Sequence, residues 1–204
     1  MKKISVFASG GGSNLQSIID ASEKGMLNAE VALVISNNSS AFALERARKH
    51  GIKAIHFSTK THPDPAIYTQ ELIKLHSDMK IDLVLLAGYM KLLPKPFIAL
   101  YSGRILNIHP SLLPKHGGKG MYGHFVHEAV IAAKDKESGV TIHWVTEEYD
   151  EGPIMMQRSI PINHDDTPDT LAARVLKVEH AVYPEAAALV LSGQIRFPNR
   201  FTEK

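Results

Sequence analysis

The first half of the chain alternates short, continuous apolar runs with segments of helical spacing, and this alternation restricts the fold more than any other feature. Residues 4–7, 31–35, 53–57, 83–86 and 105–108 read as strands. Residues 15–22, 41–50 and 67–76 read as helices, the last with apolar positions at Leu72, Ile73 and Leu75. Strands alternating with helices predict a doubly wound parallel α/β sheet. Near-continuous apolar strands fit burial on both faces. Gly51 stands where the second helix needs a left-handed residue to stop. The later part reads differently. Residues 139–145 alternate polar and apolar, and residues 154–162 form another strand candidate. Thr167 as N-cap and Pro168 in the first turn open a long final helix over about 170–191, which Gly193 ends and Pro184 is expected to kink or split. The expected fold is Rossmann-like: a mostly parallel sheet with a mixed or antiparallel C-terminal extension and a long last helix.

With 204 residues, 44% of them hydrophobic, the chain suits one domain with two subregions. We expect a phosphate-binding half over about 1–103 and a catalytic half over about 104–204. The formal charge is +2, and Lys2-Lys3 is not extended into a basic run, which argues against a nucleic-acid footprint. The absence of Cys excludes disulfides, thiolate catalysis and Cys-ligated zinc. The longest apolar run, 83–87, is far short of a membrane span, and no signal-peptide pattern follows Lys3. The expectation is a cytoplasmic protein with small-molecule partners, without nucleic acid or membrane.

Ser9-Gly10-Gly11-Gly12-Ser13-Asn14 joins the first strand to the first helix. Glycines let the backbone approach an anion, and a helix N-terminus supplies free N–H groups. The ATP-binding loop needs a Lys that is missing here. The dinucleotide fingerprint needs a small residue where Leu15 stands and an acidic residue where Asn37 and Asn38 stand. A phosphate monoester fits better than a dinucleotide; the bland alternative is a tight turn capped by Ser13. Farther on, Asn107 and His109 lie at the C-terminal end of a strand, where open parallel sheets bind ligands. Alternate residues of a strand share a face, so an amide for oxyanion stabilisation and an imidazole for proton transfer meet one pocket. His143 reads as structural. His116, His124 and His127 match no strong metal-site spacing, and no metal is expected. Glu147, Glu148 and Glu151 read as a solvated acidic loop around Asp150.

Together these motifs resemble the phosphoribosylglycinamide formyltransferase family, over nearly the whole chain. The glycine loop resembles the family's phosphate loop, 86–93 its folate-contacting segment, 107–114 its catalytic motif, 150–153 its Asp-containing loop, and Glu179-His180 a helical pair whose Glu meets the glycinamide. The resemblance implies 10-formyltetrahydrofolate as co-substrate and no required metal. It implies Asn107, His109 and Asp150 as catalytic residues, with Asp150 orienting His109 and raising its pKa. It implies Gly11, Gly12, Ser13, Asn14 and Glu179 for the phosphoribosylglycinamide. Met90, Lys91, Leu92, Leu93, Asn107, Thr146, Glu147, Glu148, Tyr149 and Asp150 would frame the folate, largely through backbone groups. A monomer or weak homodimer is expected.

Two departures from the family pattern stand out. Pro65 occupies the position of an Arg that meets the phosphate, with Lys60 the nearest upstream base. The loop 117–123 is unusually rich in glycine and is expected to form a mobile lid. Two related enzymes share the core motif. A formyltetrahydrofolate hydrolase is disfavoured by the glycine loop near the start, and methionyl-tRNA formyltransferase by the short remainder after the last helix. A non-catalytic folate- or nucleotide-binding regulator is the alternative from another class.

Overall fold

The computed structural model describes residues 1–198. In chain order the elements are β1 (Lys2–Phe7), α1 (Ser13–Glu23), β2 (Ala29–Ser36), α2 (Phe42–Lys49), β3 (Lys53–His56), α3 (Pro65–Asp78) and β4 (Leu83–Leu86). There follow α4 (Lys95–Leu100), β5 (Ile105–His109), α5 (His124–Ala132), β6 (Glu137–Trp144), β7 (Ile154–Pro161) and α6 (Pro168–Leu191). The strands form one sheet in the order β3-β2-β1-β4-β5-β6-β7. β1 to β5 run parallel, and β6 and β7 are antiparallel additions, as the patterning predicts.

Side chains alternate across the buried strands. Ile4 and Val6 join a core that includes Leu15 and Ile18 of α1 and Val182 and Ala186 of α6. Phe7 joins a second core with Leu72 of α3 and Phe97 of α4. Ser5 faces the same way as Phe7, a polar group in the buried part of β1. His76 of α3 satisfies it: the ring's Nδ1 lies 2.8 Å from the Leu72 carbonyl and its Nε2 lies 3.0 Å from Ser5 Oγ. In the neutral ring Nδ1–H donates to the carbonyl and Nε2 accepts from the hydroxyl.

Two features differ from the sequence reading. α4 and α5 were not anticipated: α4 has six residues between prolines and glycine, too few for a period to show, and α5 follows the glycine-rich loop. Pro184 does not split the last helix, which is continuous over Pro168–Leu191 and opens with the expected Thr167 cap. The proline removes the N–H that would bond the His180 carbonyl, but Val182, Tyr183, Ala186 and Ala187 around it are buried. The Tyr183 hydroxyl lies 2.9 Å from the Leu86 carbonyl and 3.1 Å from the Leu106 carbonyl. Packing and this contact to β4 and β5 offset the lost helical bond.

Burial lowers the pKa of His76 to about 4, with the Leu72 carbonyl pulling weakly the other way. A lowered folded-state pKa means that the unfolded chain takes up the proton first. The stabilising effect is therefore complete above about pH 6.5 and is lost as the pH falls towards 4, by on the order of 3 kcal/mol. Urea unfolding followed between about pH 7 and pH 4.5 should show this loss, with a shallower slope in His76→Gln.

Candidate active site

Three motifs that are distant in sequence reach one edge because of the strand order. The glycine loop follows β1, residues 87–93 follow β4, and Asn107 and His109 end β5. β1, β4 and β5 are neighbours, and the winding reverses between β1 and β4, the place where doubly wound sheets open a crevice. Ser9 ties the first two together: its N–H donates to the Gly88 carbonyl at 3.1 Å and its Oγ accepts from the Met90 N–H at 2.9 Å.

Gly12 occupies the N-cap of α1 in the left-handed region, φ 71°, with no side-chain cap. Ser13 is the first helical residue rather than the cap. A Cβ on Gly12 would stand 2.8 Å from that of Ala43, so the turn requires glycine both for its φ and for α2's approach. The first intrahelical bond runs from Gln16 N–H to the Gly12 carbonyl, which leaves the N–H groups of Ser13, Asn14 and Leu15 without helical acceptors. Such a concave set of donors suits an anion. Arg46 of α2 stands at the loop, its Nε donating to the Gly11 carbonyl at 2.8 Å and its Nη1 to Gln16 at 3.1 Å. Pro65, by contrast, begins α3 behind the Asp64 cap, and Lys60 is exposed.

Glu179 projects from α6 towards the same loop, one turn before Tyr183. It is buried and accepts from Asn14 Nδ2 at 2.9 Å. Burial raises its pKa to about 7, although the Asn14 bond acts in the opposite direction. Asn14 Oδ1 is also buried and has no hydrogen-bond partner.

The Asp150 carboxylate gathers the second half of the site. Its Oδ1 lies 3.3 Å from Asn107 Nδ2 and 3.4 Å from His143 Nε2, and its Oδ2 lies 2.9 Å from the Gly118 N–H and 3.5 Å from His109 Nδ1. Asp150 itself sits at φ 56°, a conformation that Asp tolerates better than most residues. The loop that carries it passes so close to β6 that a Cβ on Gly152 would stand 1.7 Å from the Trp144 carbonyl oxygen. His109 Nε2 lies 2.8 Å from the His116 carbonyl oxygen, so in the neutral ring Nε2 carries the proton and Nδ1 faces Asp150.

His143 is a site residue, not a remote structural one. The antiparallel register sets it opposite Asn107, whose Nδ2 it meets at 3.0 Å. Its Nδ1 lies 3.0 Å from the Trp144 carbonyl, which leaves Nε2 free to accept from Asn107. The signal was present: Thr141 and His143 are the polar positions of an alternating strand.

The expected rise in the His109 pKa is reversed. Burial lowers it, and although Asp150 and the His116 carbonyl pull upward, the net direction is down. For Asp150 burial pushes upward, but the neighbouring His143, His109 and the Gly118 N–H together hold the carboxyl below its ordinary value. The resting pair is therefore a carboxylate beside a neutral imidazole.

The segments assigned to folate border this edge unevenly. Met90 and Leu92 are each 48% exposed, whereas Leu93 is 4% exposed and packs in the core with Phe97. Lys91, Glu148 and Tyr149 are exposed and Thr146 is half-buried. Glu147 pairs with Lys95 at 2.6 Å, tying the Asp150 loop to α4. His116, His124 and His127 diverge: His116 meets Asp135, His124 meets Glu128 and Asp169, and His127 is buried on α5.

A family model described as formyl transferase matches residues 2–187. The chain belongs to the formyl transferase family. It is 44% identical over 194 residues to a chloroplastic phosphoribosylglycinamide formyltransferase of Vigna unguiculata, covering 95% of this chain and 62% of that relative. A phosphoribosylglycinamide formyltransferase of Escherichia coli (strain K12) is 39% identical over 193 residues, covering 95% of this chain and 89% of the relative. The crystal structure of glycinamide ribonucleotide transformylase 1 from Symbiobacterium toebii superposes with a TM-score of 0.90 at 38% identity, covering 98% of this chain and 92% of that one. A formyltetrahydrofolate deformylase from Pseudomonas syringae shares the fold at a TM-score of 0.83 but is 26% identical, with 94% and 62% covered.

The raised pKa of Glu179 means that the folded state opposes its ionisation. Its stability contribution is present below the unfolded value near 4.5 and is lost as the pH rises through about 7. Glu179→Gln should therefore stabilise the protein by on the order of 3 kcal/mol at about pH 8 and by little at about pH 4.5. Denaturant titrations of both proteins at the two pH values check this.

Proposed function

We propose that the chain transfers the formyl group of 10-formyltetrahydrofolate to the amine of 5-phosphoribosylglycinamide, yielding the formylated glycinamide and tetrahydrofolate in de novo purine biosynthesis. The observation that carries this reading is the placement of Asn107, His109 and Asp150 on the same sheet edge as the glycine loop and Glu179. An acyl-transfer set alone leaves the acceptor open; an anion cradle beside it selects an acceptor that bears a phosphate.

In this reading the phosphate sits on the N–H groups of Ser13, Asn14 and Leu15, next to Gly11 and Gly12, and Arg46 supplies the cation that Pro65 cannot. Asn14 Oδ1, which has no partner in the protein, accepts from the glycinamide nitrogen, and Glu179 holds the other side. The folate lies against the backbone of Met90, Lys91, Leu92 and Leu93 and of Thr146, Glu147, Glu148, Tyr149 and Asp150. The phosphate-binding half, 1–103, and the catalytic half, 104–204, thus share substrates across their boundary. Both substrates are small molecules. We assign the protein to the cytoplasm as a monomer or weak homodimer; no helix among the described residues is long and apolar enough to cross a membrane.

The free amine attacks the formyl carbon and a C–N bond forms. The carbonyl electrons move to oxygen. Asn107 donates to that oxyanion by exchanging its longer bond, the 3.3 Å contact to Asp150. The attacking nitrogen must lose a proton and the folate nitrogen must gain one. Neutral His109 offers Nδ1 as the acceptor, and Asp150 beside it stabilises the imidazolium that forms. The proton passes to the folate nitrogen, the old C–N bond breaks and the carbonyl re-forms. Holding both reactants side by side supplies much of the acceleration.

Purified protein should release tetrahydrofolate from 10-formyltetrahydrofolate only when the phosphoribosylglycinamide is added. Equal release without it would identify a hydrolase, and no release in either case a binding protein. Asp150→Asn should lower kcat by roughly a hundredfold or more with the fold intact, and near wild-type turnover would remove Asp150 from the mechanism. Arg46→Ala should raise KM for the phosphorylated acceptor by about tenfold and leave KM for the folate unchanged, as separate titrations of the two substrates will show.

A further inference from the structure

We propose that Asp135, in the turn between α5 and β6 and outside the cleft, is a positioning residue that sets the tautomer of His109; the proposal rests on the role given to His109 above. Asp135 grips two consecutive side chains of the segment after the catalytic motif. Its Oδ2 lies 2.7 Å from His116 Nε2 and its Oδ1 3.2 Å from Lys115 Nζ. Ser111 holds the same stretch from the other side, its hydroxyl donating to the Lys115 carbonyl at 2.7 Å. The segment gripped in this way supplies both backbone contacts to the proposed dyad. The His116 carbonyl receives His109 Nε2–H, and the Gly118 N–H meets Asp150 Oδ2.

His116 adopts φ 53°, a left-handed conformation that is uncommon for a side chain of its size. A residue held there needs support from its surroundings, and Asp135 supplies it through the ring. Gly117, next in line, is packed so closely that a Cβ would stand 2.4 Å from Leu113 Cδ2. The backbone turn is thus pinned by an ion pair on one side and by close packing on the other.

The consequence for His109 follows from the two ends of its ring. While the His116 carbonyl is in place, Nε2 must carry the proton of the neutral ring and Nδ1 keeps its lone pair on the Asp150 side. If the carbonyl withdraws, the Asp150 carboxylate favours the opposite tautomer, with Nδ1–H donated to it and the lone pair on Nε2. That tautomer cannot take a proton at Nδ1. Other titratable groups near His109 are His143 on β6, His116 itself and His127 on α5. None of these three is itself a carboxylate that could replace Asp150 as the partner of Nδ1. The anchor also holds Asp135 below its ordinary pKa, through His116 first and then Lys115, so it is in place throughout the neutral range.

The test uses the full chain labelled with 15N-histidine and no substrate. In the wild type, His109, assigned by its loss in His109→Gln, should show a protonated Nε2 and an unprotonated Nδ1 at about pH 8. Asp135→Ala should shift or average these signals and lower kcat by roughly ten- to a hundredfold with KM for either substrate little changed. Asp135→Asn, which keeps an acceptor for His116, should restore the tautomer and most of the rate, and Asp135→Ser, too short to reach the His116 ring, replaces the alanine variant with the same expected loss if the latter fails to fold. An unchanged tautomer in Asp135→Ala overturns the proposal, whatever happens to kcat, and so does an unchanged kcat with a shifted tautomer. If the tautomer shifts while the wild-type protein lacks formyl transfer, the positioning stands and the functional reading fails.

Discussion

Burying a carboxylate costs several kcal/mol unless donors surround it, and the active-site edge is organised around meeting that requirement at Asp150. The donors come from β5 and from the segment after residues 107–114, and His143 of β6 lies alongside, so one side chain contacts three stretches. The requirement also fixes the loop that presents Asp150. Gly152 must be glycine for that loop to lie against Trp144, and Glu147 holds its other end to Lys95. Asn107 and His109 lie on a strand in a rigid sheet; Asp150 lies on a loop and is made rigid by what it accepts.

The strands were legible because burial on both faces of a parallel sheet leaves continuous apolar runs such as 83–86. The glycine loop was legible because a left-handed turn and α2's approach at Gly12 leave little choice of residue. For His143 the polar position in an alternating strand was visible, but its partner was not, because the antiparallel register with Asn107 is not specified by periodicity. Asp135 was hidden for a similar reason: it acts on a backbone nineteen positions away through two side chains. Pro184 misled because a local rule for helices was applied where buried packing on both sides of the residue decides. The direction of the His109 pKa went astray because the attraction of Asp150 was visible in the motif, while the burial that outweighs it belongs to the folded molecule.

Asn14 and Glu179 illustrate what the fold tolerates in order to receive a ligand. A buried amide oxygen without a partner and a carboxyl pushed up to about 7 both destabilise the fold near neutral pH. The Asn14 bond offsets the burial of Glu179 only in part, and Asn14 Oδ1 has no partner. Buried polar groups of this kind call for an explanation. Glu179 is one helical turn from Tyr183, which locks α6 to the sheet, and Asn14 faces it from α1.

That attachment has a chemical consequence as well. The C-terminal ends of β4 and β5 carry residues 87–93 and the Asn107 and His109 pair, and the carbonyls of Leu86 and Leu106 lie close to these ends. Two buried carbonyls side by side would ordinarily recruit a water molecule. The Tyr183 hydroxyl takes that place. The phenol is held by a covalent stem on α6 and does not exchange with solvent as a water molecule would. In the proposed reaction water would compete with the amine for the formyl carbon, and these two carbonyls offer it no lodging.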